Sequence, residues 1–336
     1  MPNVLRICVV IALAMLQGCA VYRMLPTNWT RPEGRYWCNE RYLDMVKEYQ
    51  EPLAKSLVDR LQLAKAGYIY AVASALSLQG EEPKEVFDFD RPVELTQLGL
   101  ERDLSSGFQA VTYLYTPKDP ARAPEVVIAF RGSDQIRDYL LHNFWIWPIQ
   151  LTDAIKYVKD TAADPRVKGK RIVVTGYSLG GGLAAYVTKD TQTSALISQA
   201  WAFNPSPREL EAGTDPRIYL VSTKYEVLNE LDRSRIGALP EHTDMSFQLL
   251  KSSSIYSHYR WVLARQMLIY ADFADYVASG RKYTTTEPLS ILSSQSNEFC
   301  APDTHAEIVS SRKRYEADRM LIKFEDNTTT DAALQN

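Results

Sequence analysis

Gly176-Tyr177-Ser178-Leu179-Gly180 stands between a short β-branched run, Arg171 to Thr175, and a stretch of small residues, Leu179 to Val187. A serine with glycine two positions away on each side, at a strand-to-helix junction, marks a turn with strained dihedrals. Neighbours without side chains let the chain cross close to the adjoining strand and helix. The motif therefore demands a strand in a covered sheet and a helix leaving its end. The rest of the pattern agrees. The alternating run GFQAVTYLYTP and the apolar run Glu125 to Phe130 read as a hairpin around Asp119-Pro120 and Pro124. A helix near Thr152 to Thr161 follows, then strands at Gln199 to Phe203, Ile218 to Ser222 and Ser246 to Leu250, and an amphipathic helix from Ser257 to Tyr270. Strands alternating with helices predict an α/β class with a mostly parallel sheet and helices on both faces. Ahead of it, apolar residues at three and four from Tyr42 to Leu61, then AKAGYIYAVASAL, predict two helices between Asn39 and about Leu78.

Composition removes other classes. The chain has 336 residues, 46% of them apolar, enough for one large domain or two ordinary ones. Lys and Arg total 38 against 41 acids, a net charge of -3, so no basic field favours nucleic acid. Neither a metal nor a cofactor is expected.

A serine on such a turn is a candidate nucleophile, and it needs a base within hydrogen-bond reach and donors for an oxyanion. Glu125-Val126-Val127-Ile128-Ala129-Phe130-Arg131-Gly132-Ser133 is a buried-type strand ending in Arg-Gly-Ser, ahead of the serine. With FRGSDQIRDYLLHNF, GYSLG and the later AFNPSP, the chain resembles the class 3 (fungal lipase-like) family of α/β hydrolases from about Gly107 to Tyr270. The resemblance implies an α/β-hydrolase fold and a serine hydrolase of carboxylic esters, of lipase or phospholipase type. It puts Ser178 as nucleophile, with Ser133 and the N–H of Leu179 as oxyanion donors. Chain order in this fold is Ser, acid, His. His258, after the last strand and at a helix start, matches the family's base, with His242 and His305 as alternatives. Glu226 stands nearest the family's acid, which is usually Asp; Asp232 and Glu230 are the alternatives. Asn204 replaces the family's glycine. Tyr139 to Trp147 follow the oxyanion strand where family lipases carry a lid, and read equally as a packed helix. The substrate implied is a lipid or other acyl ester. Thioester or peptide cleavage by the same groups, or a non-catalytic binding module on the same scaffold, are rival readings.

The N-terminus suggests export. Ile7 to Leu16 is ten apolar residues after Arg6, short of the roughly 20 that cross a bilayer, and it reads as a secretory signal. Leu16-Gln17-Gly18-Cys19 resembles a bacterial lipoprotein box, which implies a signal peptide over residues 1–18, lipidation of Cys19 and a membrane anchor. Ala20 after it suggests the outer membrane, facing the periplasm of a Gram-negative bacterium. Cleavage near Ala20 with Cys19 incidental is the alternative. Residues 19–38 read as a tether, 39–324 as the hydrolase domain and 325–336 as a polar tail. Cys38 and Cys300 remain, and in an oxidising compartment they pair most simply as a disulfide; two free thiols are the alternative.

Overall fold

The computed structural model describes residues 53, 55–79, 90–98, 102–103, 106–132, 147–206, 213–229, 231–248, 257–280 and 285–293. Cys19, Cys38, Cys300, Ser133, His142, His305, Glu230 and the stretch from Tyr139 to Ile146 lie outside them. Of Trp147 only the backbone is described. In chain order the elements are α1 (Lys55–Gln79), β1 (Leu95–Gln97), β2 (Arg102–Asp103), β3 (Gln109–Tyr115), β4 (Glu125–Phe130), α2 (Trp147–Ala163) and β5 (Ile172–Tyr177). They continue with α3 (Leu179–Lys189), β6 (Gln199–Phe203), β7 (Ile218–Thr223), β8 (Thr243–Phe247), α4 (Arg260–Ala278) and α5 (Glu287–Ser293).

The strands form one sheet in the order β1-β3-β4-β5-β6-β7-β8, with β2 beside β3. β3 and β4 are the antiparallel hairpin, and β4 through β8 run parallel. Period-two burial divides each central strand between two cores. Val126, Ile128 and Phe130 of β4 face α2 and α3 together with Tyr157, Leu183 and Ala184. Val127 and Ala129 face the other way, onto the layer built from α1 and α4 with Trp201, Phe203, Leu268 and Tyr270. All six residues of β4 and of β5 are buried, as strands covered on both faces must be. This is the α/β-hydrolase architecture that the resemblance implies.

One expectation needs correction, the limits of the last strand. Of the region expected to hold two helices, 39–52 lie outside the described residues, and α1 runs unbroken from Lys55 to Gln79. No proline or capping residue interrupts it, and Gly67 does not break it, because the missing side chain seats the helix on an aromatic stack. Trp201 lies beneath Gly67, stacked with Tyr70 at 5.5 Å, Phe203 at 5.9 Å and Tyr219 at 4.3 Å between ring centroids. The last strand runs over Thr243–Phe247 rather than from Ser246. Its first residues carry no apolar alternation; Asp244 and Ser246 are held instead by the buried guanidinium of Arg60 from α1, with Nε donating to Asp244 Oδ2 at 2.8 Å. The short strands β1 and β2 and the helix α5 lie where only linker composition was visible.

A Cβ added at Gly67 would come within 2.3 Å of the Trp201 ring, which its stacked neighbours hold in place. Gly67→Ala gains about 1 kcal/mol of helix propensity but overpacks this contact by roughly 1–3 kcal/mol. Net destabilisation in urea unfolding is the expected outcome.

Candidate active site

The site lies at the carboxyl ends of the parallel strands, where α/β sheets hold their reactive groups. β5 ends at Tyr177, and Ser178 turns the chain with φ 54° and ψ -116°, a conformation that L-residues rarely adopt. The surrounding glycines explain how that turn fits. A Cβ at Gly176 would stand 2.2 Å from the Gly180 carbonyl, and one at Gly180 would stand 2.2 Å from the Phe130 carbonyl. Main chain cannot yield as a flexible side-chain end can, so only glycine is accommodated at either position. The turn is tied on both sides. Ser178 N–H donates to the Phe203 carbonyl at 2.9 Å, and the Ser178 carbonyl accepts from Ser206 N–H at 3.0 Å and Gly181 N–H at 3.1 Å.

The structure brings Ser178, His258 and Glu226 together. His258 Nε2 is 3.2 Å from Ser178 Oγ, and His258 Nδ1 is 2.5 Å from Glu226 Oε2. All three are buried, Glu226 at 1% exposure. With the carboxylate accepting the Nδ1 proton, the Nε2 lone pair faces the serine hydroxyl, the tautomer that a general base requires. His258 sits just before α4. Glu226 follows β7 in a tight turn, set by Tyr225 at φ 61° and closed by Glu226 N–H donating to the Thr223 carbonyl at 3.3 Å.

The alternatives stand elsewhere. His242 stacks on Tyr219 at 4.1 Å between centroids, and Asp232 accepts from Ser234 N–H and Ser234 Oγ at 2.8 and 3.0 Å. Leu179 is the first residue of α3, and the leading amides of a helix lack intrahelical acceptors. The end of β4 runs beside it: a Cβ on Gly132 would lie 3.5 Å from Leu179 N. Ser133, the next residue, lies outside the described residues.

Sequence reasoning missed Arg233. Its guanidinium is buried and forms a salt bridge with Glu226 through Nη2 and Oε1. Its Nε donates to the Pro205 carbonyl at 2.8 Å, and Nη1 donates to Ser222 Oγ at 2.7 Å and Asn229 Oδ1 at 2.6 Å. Leu228 N–H donates to Glu226 Oε2 at 2.8 Å. Each oxygen of the acid is therefore claimed: Oε1 by the arginine, Oε2 by the histidine and a backbone amide. Burial is the largest single influence on Glu226 and opposes its charge. The hydrogen bond and charge of His258, the charge of Arg233 and the Leu228 amide together outweigh it, holding the carboxyl below the ordinary carboxylate range. One arginine among several acids in a loop reads in sequence as a solvated residue, and no spacing flags it.

Among the described residues no cluster of His, Cys, Asp and Glu could hold a metal ion, and no helix is long and apolar enough to cross a membrane.

A family model for a Tle-like phospholipase domain matches residues 63–206. The match runs from Leu63, within α1, to just past the end of β6 and includes Ser178, but stops short of Glu226 and His258. Among solved structures, a triacylglycerol lipase from Penicillium expansum is similar at 16% identity over 52% of this chain and 70% of its own, with a TM-score of 0.26. An arylesterase is similar at 12% identity over 67% of this chain and 99% of its own, with a TM-score of 0.32. No curated protein matches the chain.

Because the carboxyl of Glu226 is stronger in the folded than in the unfolded chain, its contribution to stability is complete above the ordinary glutamate pKa of about 4.3. That contribution is lost as the pH falls through the depressed folded value. The gap in unfolding free energy between the native chain and Glu226→Gln, measured in urea, should narrow steadily below about pH 5. A gap independent of pH would mean that ionisation of Glu226 adds nothing to stability.

Proposed function

We propose that the protein is a serine hydrolase of carboxylic esters, acting on lipid acyl esters. The observation that carries this reading is the run of two contacts, Ser178 Oγ to His258 Nε2 and His258 Nδ1 to Glu226, ending on a serine held at positive φ. Ser178 Oγ attacks the ester carbonyl carbon while His258 Nε2 takes its proton. The carbonyl oxygen becomes an oxyanion, stabilised by Leu179 N–H and, on the resemblance, by Ser133. The intermediate collapses by breaking the bond to the alcohol oxygen, which leaves with the proton from His258. Water, deprotonated by the same imidazole, then releases the carboxylic acid from Ser178. Glu226 keeps the ring in one tautomer and stabilises the imidazolium without taking the proton itself.

The match to a phospholipase model over residues 63–206 favours a phospholipid acyl ester as substrate. A lipid anchor at Cys19 would hold the domain at a membrane surface, in the reading an outer membrane facing the periplasm. A Cys38–Cys300 bridge would tie the two ends of the chain. Both rest on the sequence alone.

Ser178→Ala should lower ester hydrolysis by roughly 10⁴- to 10⁶-fold while the purified variant unfolds at an unchanged or higher urea concentration, since alanine removes only the hydroxyl oxygen and leaves the turn's backbone hydrogen bonds in place. A fluorophosphonate probe should label the native chain and not this variant. Turnover of short-chain phosphatidylcholine micelles against a soluble aryl ester tests the substrate class. Full activity in Ser178→Ala, or a native chain inert to probe and esters alike, would overturn the reading and leave the binding-module alternative.

A further inference from the structure

Tyr177 and Asn204 lie outside the three reacting side chains, yet both close on the base. Tyr177 is 4% exposed, its ring meets the His258 imidazole edge-on at 5.4 Å between centroids, and its hydroxyl bonds the His258 main-chain carbonyl. Asn204 is wholly buried at the end of β6, and its Nδ2 is 2.5 Å from Tyr177 Oη. The same amide nitrogen reaches the Ser257 carbonyl at 3.4 Å.

The direction of each bond follows from one unambiguous donor. Thr223 N–H can only donate, and it lies 2.8 Å from Asn204 Oδ1, so that atom is the oxygen and Nδ2 faces the tyrosine. Ser222 Oγ lies 3.0 Å from the same oxygen. Tyr177 Oη therefore accepts from Asn204, and its own proton goes to the His258 carbonyl. Burial, with the nearby charge of Glu226 next, pushes the tyrosine pKa well above the ordinary value, so this donor is never lost at working pH. The main chain of Asn204 has φ 41°, where asparagine is tolerated but glycine is at ease. An asparagine in a glycine's place supplies an amide that glycine lacks, and that amide joins Tyr177 at the end of β5 to the strand end before the acid and to the segment bearing the base.

We propose that Tyr177 and Asn204 are one positioning unit, which fixes the main chain of His258 so that Nε2 stays aimed at Ser178 Oγ. Glu226 holds the ring at Nδ1, and Tyr177 holds the same residue at its carbonyl. Two anchors at different points remove the rotation that one would allow. The proposal rests on the ester-hydrolase reading for its kinetics, but not for its geometry.

The test uses the full chain with Tyr177→Phe, Asn204→Gly and the double variant. Reactive groups displaced by a fraction of an ångström lose rate rather than binding, so each single variant should lower kcat about 10- to 100-fold with KM held. Because the two residues act through one bond, the double variant should lose no more than the worse single one. Unchanged kcat in Tyr177→Phe, or losses that multiply in the double variant, would overturn the proposal. Should Tyr177→Phe fail to fold, Asn204→Gly decides on the same kcat-against-KM split, with equal kcat overturning it. Proton NMR of the His258 Nδ1–H separates this failure from failure of the enzymatic reading. The proposal expects that resonance to exchange with water faster in Tyr177→Phe than in the native chain, even if the native chain turns over no ester, and an unchanged exchange rate overturns it.

Discussion

The close crossing of three backbone segments at the end of β5 is the constraint on which the site depends. Gly176 meets Gly180, Gly180 meets the carbonyl of Phe130, and Gly132 meets that of Tyr177, all at distances no Cβ tolerates. Ser178 at positive φ is the outcome of that crowding, and its cost, of order 1–3 kcal/mol, is offset by the hydrogen bonds from Ser178 N–H to Phe203 and from Ser206 and Gly181 to its carbonyl. Because these bonds reach β6 and α3, the serine cannot relax without disturbing the middle of the sheet. The turn is rigid for the reason that it is strained.

A second layer of order comes from burying charge. Arg233 and Glu226 are almost fully removed from water, and a buried ion pair stabilises only when its remaining hydrogen-bonding groups are matched. Here Ser222, Asn229, Pro205 and Leu228 supply the matches. The acid shares its charge between an arginine and the imidazole, so its position no longer depends on the histidine alone. The same bonds reach Asn204 through Ser222, and Asn204 leads by Tyr177 back to His258. The base is thus enclosed by a ring of hydrogen bonds that starts at its Nδ1 and returns at its carbonyl.

The legible part of the fold was whatever carries a local period or a steric signature. β4, β5 and β6 are short apolar runs bounded by turn residues, and they stand within two residues of where composition put them. Gly67 is accommodated within α1 because Trp201 lies beneath it. The limits of β8 were misjudged because they are set by a contact across the sheet. The polar start of β8 looks like loop until Arg60 comes from α1 to bind Asp244.

For the site, the strand–turn–helix around Ser178 could be read directly, because crowding at one turn is a local property of five consecutive residues. Chain order together with the family resemblance favoured His258 among three candidate imidazoles, and the same resemblance favoured Glu226 among neighbours of equal charge. Which acid faces which imidazole is a matter of distance in space, over a separation of 32 residues, and spacing along the chain carries no such information. The parts played by Arg233, Tyr177 and Asn204 belong wholly to the tertiary structure. A hydrogen bond acquires direction and strength only when its partners are held together out of water, and it is the folded sheet, not the order of residues, that brings these partners together.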